Sequence, residues 1–117
     1  MKKIKNPGQQ ELIRELKKLA ITEKVKLWKR IATELEKPTK NKRVVNISKL
    51  NKVTKDGDLI IVPGKVLSSG ELTHKLTVSA YSFSETAEVK ILKSGKVLSI
   101  RELMVQNPKA KGIKIIG

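Results

Sequence analysis

The apolar residues of this chain change their spacing once, near residue 44, and that change confines the chain to a mixed helix-and-strand architecture. Upstream, Leu12, Ile13, Leu16, Leu19 and Ala20 recur at helical intervals, followed by Val25, Trp28, Ile31, Ala32 and Leu35. Asn6-Pro7-Gly8-Gln9 predicts the first helix start, with Asn6 as cap, Pro7 in the first helical position and Gln9 reaching back. Thr22 is the predicted cap of the second helix. That helix ends near Lys37, because Pro38 disfavours helical geometry in the residue before it. The short link makes the pair a hairpin, and Trp28, inside the apolar stripe, is read as core.

Downstream the pattern is of strands alternating with helices. "VVNISKLNKVT" predicts a short strand and a brief helix with Ile47, Leu50 and Val53 inward, and "DGD" at 56–58 a tight turn. "LIIVPGKVL" predicts a buried strand over Leu59–Val62, a turn at Pro63-Gly64 and a continuation at Val66-Leu67. "KLTVSAYSF" alternates, with Leu76, Val78 and Ala80 on one face. Ser84 caps a helix carrying Ala87, Ile91 and Leu92 that stops at Gly95, and "KVLSI" is a short strand. Ser99 and Glu102 form a capping box for a helix with Leu103 and Met104, ended by Asn107-Pro108. "GIKII" is a last strand. The expectation is one domain over 1–117: a helical hairpin (1–36), an exposed basic loop (37–43) and an α/β core (44–117).

Charge narrows the function. Lysine and arginine number 26 against 11 acids, a formal net charge of +15. Self-repulsion of that size disfavours the compact state, and a polyanionic partner relieves it. The excess is uneven: residues 1–55 hold 17 basic and 5 acidic side chains, residues 56–117 hold 9 and 6. The polyanion therefore faces the N-terminal half. Trp28, Tyr81 and Phe83 are the only aromatic residues, too few for a base-stacking platform, so phosphate contact and shape are favoured over single-strand base reading. There is no apolar run of the ~18 residues a membrane span needs. "MKKIKNPGQQ" lacks the apolar core of a signal peptide. With no cysteine, disulfides and thiolate metal sites are excluded.

No catalytic constellation emerges. His74, the single histidine, has no evident partner acid. Zinc needs several His or Cys ligands. Asp56 and Asp58 flank a glycine as turn residues do. The stretch "PGKVLSSGEL" has the ingredients of a phosphate loop in the wrong order. A P-loop puts Lys and Ser/Thr directly after its second glycine, whereas here Gly70 is followed by Glu71 and Leu72. What remains is a strand end with donors (Lys65, Ser68, Ser69 and backbone N–H groups) that can face a nucleic-acid backbone.

"VNISKL" (45–50), "DGDLIIVPGKVLSSGEL" (56–72), "KLTVSAYSFSETA" (75–87) and "NPKAKGIKII" (107–116) resemble the large-subunit ribosomal proteins of the archaeal and eukaryotic L-eighteen-e type, related to bacterial L-fifteen. The helical opening around Trp28 and "KPTKNKR" fit as well. The family commonly has glycine where this chain has Ser68, which reduces backbone freedom at one turn. The resemblance implies a non-enzymatic, intracellular component of the large ribosomal subunit, in the cytoplasm. Its implied partners are ribosomal RNA and neighbouring ribosomal proteins. It also implies an α/β fold with an irregular superhelix of strand-strand-helix turns. The chain lacks the longer ends of eukaryotic members, so an archaeal member is expected.

The expected RNA contacts are Lys37, Lys40, Asn41, Lys42 and Arg43 in the loop, with Lys2, Lys3 and Lys5 as a tail that orders on binding. Lys49, Lys52, Lys65, Ser68, Ser69, Gly70 and Lys75 form a second region, with Lys109 and Lys111 as outlying contacts. No cofactor, metal, membrane or small-molecule substrate is expected. The alternative is a non-specific DNA-coating chromatin protein.

Overall fold

The structure, a computed structural model, describes residues 7–38 and 43–116. Asn6 and the predicted contacts Lys2, Lys3, Lys5, Lys40, Asn41 and Lys42 lie outside the described residues. In chain order the elements are α1 (Pro7–Glu23), α2 (Lys26–Leu35), β1 (Arg43–Asn46), α3 (Ile47–Val53), β2 (Asp58–Leu67), β3 (Leu76–Phe83), α4 (Glu85–Leu92), β4 (Lys96–Ser99), α5 (Ile100–Gln106) and β5 (Ile113–Ile115). The fold is α/β, and every strand pairing among the described residues is parallel. The link from β2 to β3 carries no helix, so β2, β3 and α4 make a strand-strand-helix turn.

β2 is the organising strand. β3 runs along one edge of it from Asp58 to Val66. β5 and β1 therefore share the other edge, β5 against Leu59–Ile61 and β1 against Gly64–Leu67. At the changeover sits Pro63-Gly64, predicted as a turn. The strand instead continues through it as a bulge: Val62 pairs with Ala80 and Lys65 with Ser82, so two residues oppose Tyr81 alone. Proline has no N–H to donate and is tolerated at a bulge. Gly64 meets Arg43 directly, and a Cβ there would lie 1.9 Å from the Arg43 carbonyl oxygen.

Alternate side chains of this sheet enter two cores. Ile60, Val62, Val66, Leu76, Val78 and Ala80 pack with α3 (Ile47, Leu50) and α4 (Ala87, Ile91). Ile61 and Leu98 face the opposite way, into a core with Leu12, Leu16, Trp28, Ile31, Leu35, Ile100 and Leu103 from α1, α2 and α5. Both faces are thus covered, as parallel sheets require. Ser79, on the polar side of the β3 alternation, is accordingly fully buried beside Ile61 and Leu98.

Three local expectations are corrected. Thr22 does not cap α2. It stays inside α1, which closes when the Val25 N–H donates to the Ala20 carbonyl at 3.0 Å. Lys24 takes the left-handed conformation at φ 57°, and Val25 is the capping position. Val53 points outward, 49 % exposed, because α3 is only two turns long and its buried face is filled by Ile47 and Leu50. Gln9 reaches across the hairpin, where its amide donates to the Leu35 carbonyl at 2.8 Å and accepts from the Tyr81 hydroxyl at 3.2 Å. The capping box of α5 forms as predicted, as does the Ser84 cap of α4. Trp28 is fully buried, and its indole N–H donates to the Pro108 carbonyl at 2.7 Å.

Candidate nucleic-acid interface

The ends of the basic loop are tied to one carboxylate. Glu34, on the last turn of α2, accepts from the Lys37 ammonium at 2.7 Å and from the Arg43 guanidinium at 3.0 Å. Its side chain is only 15 % exposed, while those of Lys37 and Arg43 are 40 % and 48 % exposed. The Lys37 hydrogen bond, with help from Arg43, holds the Glu34 carboxyl below its ordinary pKa against the opposing effect of burial. Lys37 and Arg43 therefore form the base of the loop, holding its two ends together, with part of each side chain left exposed.

β1 connects this base to the second predicted region. Its register sets Arg43 beside Gly64 and Val44 beside Lys65, and continues to Asn46 beside Leu67. There the Asn46 side chain accepts from the Ser69 N–H at 3.3 Å, and the Ser48 N–H donates to the Ser69 carbonyl at 2.9 Å. The connection that follows is pinned onto α3 and its trailing turn. The Asn51 side chain accepts from the Thr73 N–H at 2.9 Å, and Asp56 accepts from the Lys75 N–H at 2.8 Å. Gly70, at φ 102°, sits so close to Ser48 that a Cβ would lie 2.5 Å from the Ser48 Cβ. From the other side the Lys90 ammonium donates to the Ser68 carbonyl at 2.9 Å and the Gly70 carbonyl at 2.8 Å.

This answers what the phosphate-loop ingredients do. Ser69 spends its backbone N–H on Asn46, and the neighbouring carbonyls are held by Lys90 and Ser48, so the loop is a built scaffold. The Ser69 N–H, expected from sequence as a donor toward a nucleic-acid backbone, is engaged within the chain by the Asn46 side chain. The scaffold presents side chains: Lys49 and Lys52 on α3, Lys65 on β2, and Ser69 and Lys75 on the connection are all exposed, while Ser68 and Gly70 are half-buried.

His74 closes the scaffold. Thr54, which is buried, donates its hydroxyl to the Leu50 carbonyl at 2.6 Å. Its oxygen therefore accepts from His74 Nε2 at 2.8 Å, which fixes that nitrogen as the protonated one. Asp56 and Asp58 are turn residues as read. Asp58 accepts from the Lys55 N–H at 2.8 Å and pairs with Lys114 at 3.0 Å, and these contacts, the backbone one foremost, hold its pKa below the ordinary value.

The outlying lysines stand apart: Lys109 pairs with Glu23 at 3.5 Å, and Lys111 is exposed beyond α5. Missed in the sequence reading were Lys26, Lys29 and Arg30. They are exposed along the side of α2 away from Trp28, Ile31 and Leu35. The signal was present, since residues spaced i, i+3, i+4 share one helical face. Arg14 and Lys18 are similarly exposed on α1. Among the described residues there is no helix long and apolar enough to cross a membrane and no group of His, Asp and Glu arranged to hold a metal ion.

The chain is similar to known proteins over most of its length. The model of the family described as ribosomal proteins 50S-L15, 50S-L18e and 60S-L27A matches residues 21–98. The chain is 45 % identical to the large ribosomal subunit protein eL18 of Methanothermobacter thermautotrophicus over 112 residues, 95 % of this chain and 93 % of that one. It is 43 % identical to eL18 of Methanococcus maripaludis over the whole of both chains. It is 43 % identical to eL18 of Sulfurisphaera tokodaii over 90 % of each. With a family match across most of its length, and relatives of this identity end to end, the chain belongs to the family of ribosomal proteins 50S-L15, 50S-L18e and 60S-L27A.

Proposed function

We propose that this protein is a structural, non-catalytic component of the large ribosomal subunit that binds and stabilises ribosomal RNA. One unit of residues 1–117 carries out the binding, since the hairpin shares a core with α5 and the sheet. Its partners are the RNA and neighbouring ribosomal proteins, and its place is the cytoplasmic ribosome. The observation that carries the reading is the exposed cationic row Lys26, Lys29 and Arg30 on α2, running toward the Lys37–Arg43 loop base. The loop residues Lys40, Asn41 and Lys42 add cationic and polar contacts, and Lys49, Lys52, Lys65, Ser68, Ser69, Gly70 and Lys75 form the second contact region. Lys2, Lys3 and Lys5 add phosphate contacts in the same way. Each phosphate neutralised releases condensed counterions, so binding weakens as salt rises.

The test compares affinity for large-subunit ribosomal RNA and for random duplex DNA at matched salt. The RNA is expected to bind more tightly. Changing Lys26, Lys29 and Arg30 together to Ala is expected to leave the fold intact and to reduce the steepness of the log-affinity against log-salt plot by about 2–3. Equal affinity for the two nucleic acids, or an unchanged slope, sinks the reading.

A further inference from the structure

The outer face of α4 is unlike the rest of the surface. Glu85, Glu88, Val89 and Leu92 follow the i, i+3, i+4, i+7 spacing that puts side chains on one helical stripe, opposite the buried Ala87 and Ile91. Glu85 and Glu88 are exposed, and Val89 and Leu92 are 56 % and 54 % exposed. Several other carboxylates are met by cations of the chain, Glu15 by Arg101, Glu34 by Lys37 and Arg43 and Asp58 by Lys114, while Asp56 and Glu102 are held by backbone N–H groups. Glu85 and Glu88 make no ion pair among the described residues. The lysine within α4, Lys90, turns its ammonium away from the stripe to the Ser68 and Gly70 carbonyls, with Glu71 at 3.5 Å beside it. The Glu71 side chain is itself 80 % exposed.

A protein of net charge +15 thus carries one helix face that is acidic at one end and apolar at the other. Carboxylates in a first helical turn complement the helix dipole, which accounts for Glu85 and Glu88 but not for two half-exposed aliphatic side chains behind them. An RNA backbone is repelled by the carboxylates and gains nothing from valine and leucine. We infer that the α4 stripe docks a lysine- and arginine-rich polypeptide segment of another protein of the same particle, with apolar side chains seated on Val89 and Leu92 and cations on Glu85 and Glu88. α4 lies on the sheet face opposite the cationic hairpin, so the stripe and the α2 row occupy different sides of the molecule, while the second contact region at Ser68–Gly70 borders α4 through Lys90. This inference rests on the ribosomal reading above and names one of its protein partners by chemistry.

The experiment places the photo-cross-linker p-benzoylphenylalanine at Val89, at Leu92 or at Lys29 in the full chain expressed in its own cells. Large subunits are isolated, irradiated and digested, and adducts are identified by mass. Lys29 is expected to give nucleotide adducts. Val89 and Leu92 are expected to give peptide adducts from another protein, mapped to a segment with a clear excess of Lys and Arg. Adding Glu85→Lys and Glu88→Lys is expected to lower the Val89 peptide adduct about tenfold, since like charges across an interface are strongly disfavoured. A nucleotide adduct at both Val89 and Leu92, an adduct to a second copy of this chain, one to a segment lacking excess cations, or no adduct overturns the inference while leaving the ribosomal reading in place. Absence of the chain from large subunits overturns both.

Discussion

Two glycines of this chain are placed very differently, and the difference is measurable. At Gly64 an added Cβ would sit 1.9 Å from the Arg43 carbonyl oxygen and 2.7 Å from its carbon, backbone atoms that move only if β1 leaves β2. Gly64→Ala is expected to cost at least about 3 kcal/mol in denaturant unfolding, at the upper end for overpacking a fixed site. At Gly57 nothing lies within 4 Å, and only the backbone angle of φ 86° resists a side chain. Gly57→Ala is expected to cost about 1–2 kcal/mol, the strain of a left-handed residue. Equal costs at the two positions would mean that the bulge does not fix the approach of β1. Sequence alone marks both as turn glycines. It does not show that Gly64 faces a strand 21 positions earlier, because that contact exists only once β1 has paired.

Most elements were legible because each carries its own local signal. The capping box of Ser99 and Glu102, the Ser84 cap and the helical stripe around Trp28 rest on neighbours a few positions apart. The misreadings share a cause. Thr22 resembles a cap, yet the helix end is decided by Val25 returning to the Ala20 carbonyl, with Lys24 accepting a left-handed conformation. Pro63-Gly64 resembles a turn, yet a strand with two partners on one edge absorbs it as a bulge. Of the candidate interface, the basic loop was legible as a run of charge. Its clamp was not, because Glu34 precedes the loop and reads as one more helix surface residue. That clamp makes a prediction. Glu34→Gln is expected to release Lys37 and Arg43, tighten binding to ribosomal RNA, and steepen its salt dependence by up to about 2. The cost to stability should stay within about 1 kcal/mol, since both cations are partly exposed and surface pairs contribute little. Weaker RNA binding by the variant would show that the clamp organises the loop for its ligand.

Across the molecule, the pH response follows from carboxylates held in distant places. Glu34 at the loop base, Asp58 at the start of β2 and Glu102 in the α5 capping box each have a pKa below the ordinary value, through Lys37, the Lys55 N–H and the Ser99 N–H respectively. A carboxylate depressed in the folded state binds protons more readily when unfolded, so its contribution is present above the unfolded value and is lost as pH falls through the folded one. Stability is therefore expected to be flat around neutrality and to decline below about pH 4.5, where unfolded carboxyls begin to protonate. The rising positive charge of an already cationic chain deepens that decline. Thermal melts from pH 7 to 3 check this, and a chain whose melting temperature rose on acidification would contradict it.

The hydrogen bond from Trp28 to Pro108 spans 80 positions, and β5 reaches its place on β2 from the last residues of the chain. During synthesis the hairpin is made well before the acceptor for its indole and the strand that closes the lower edge of β2. A growing chain thus keeps a tryptophan without its indole acceptor until Pro108 is made, and an open strand edge until β5 follows. A chain cut before Pro108 lacks both.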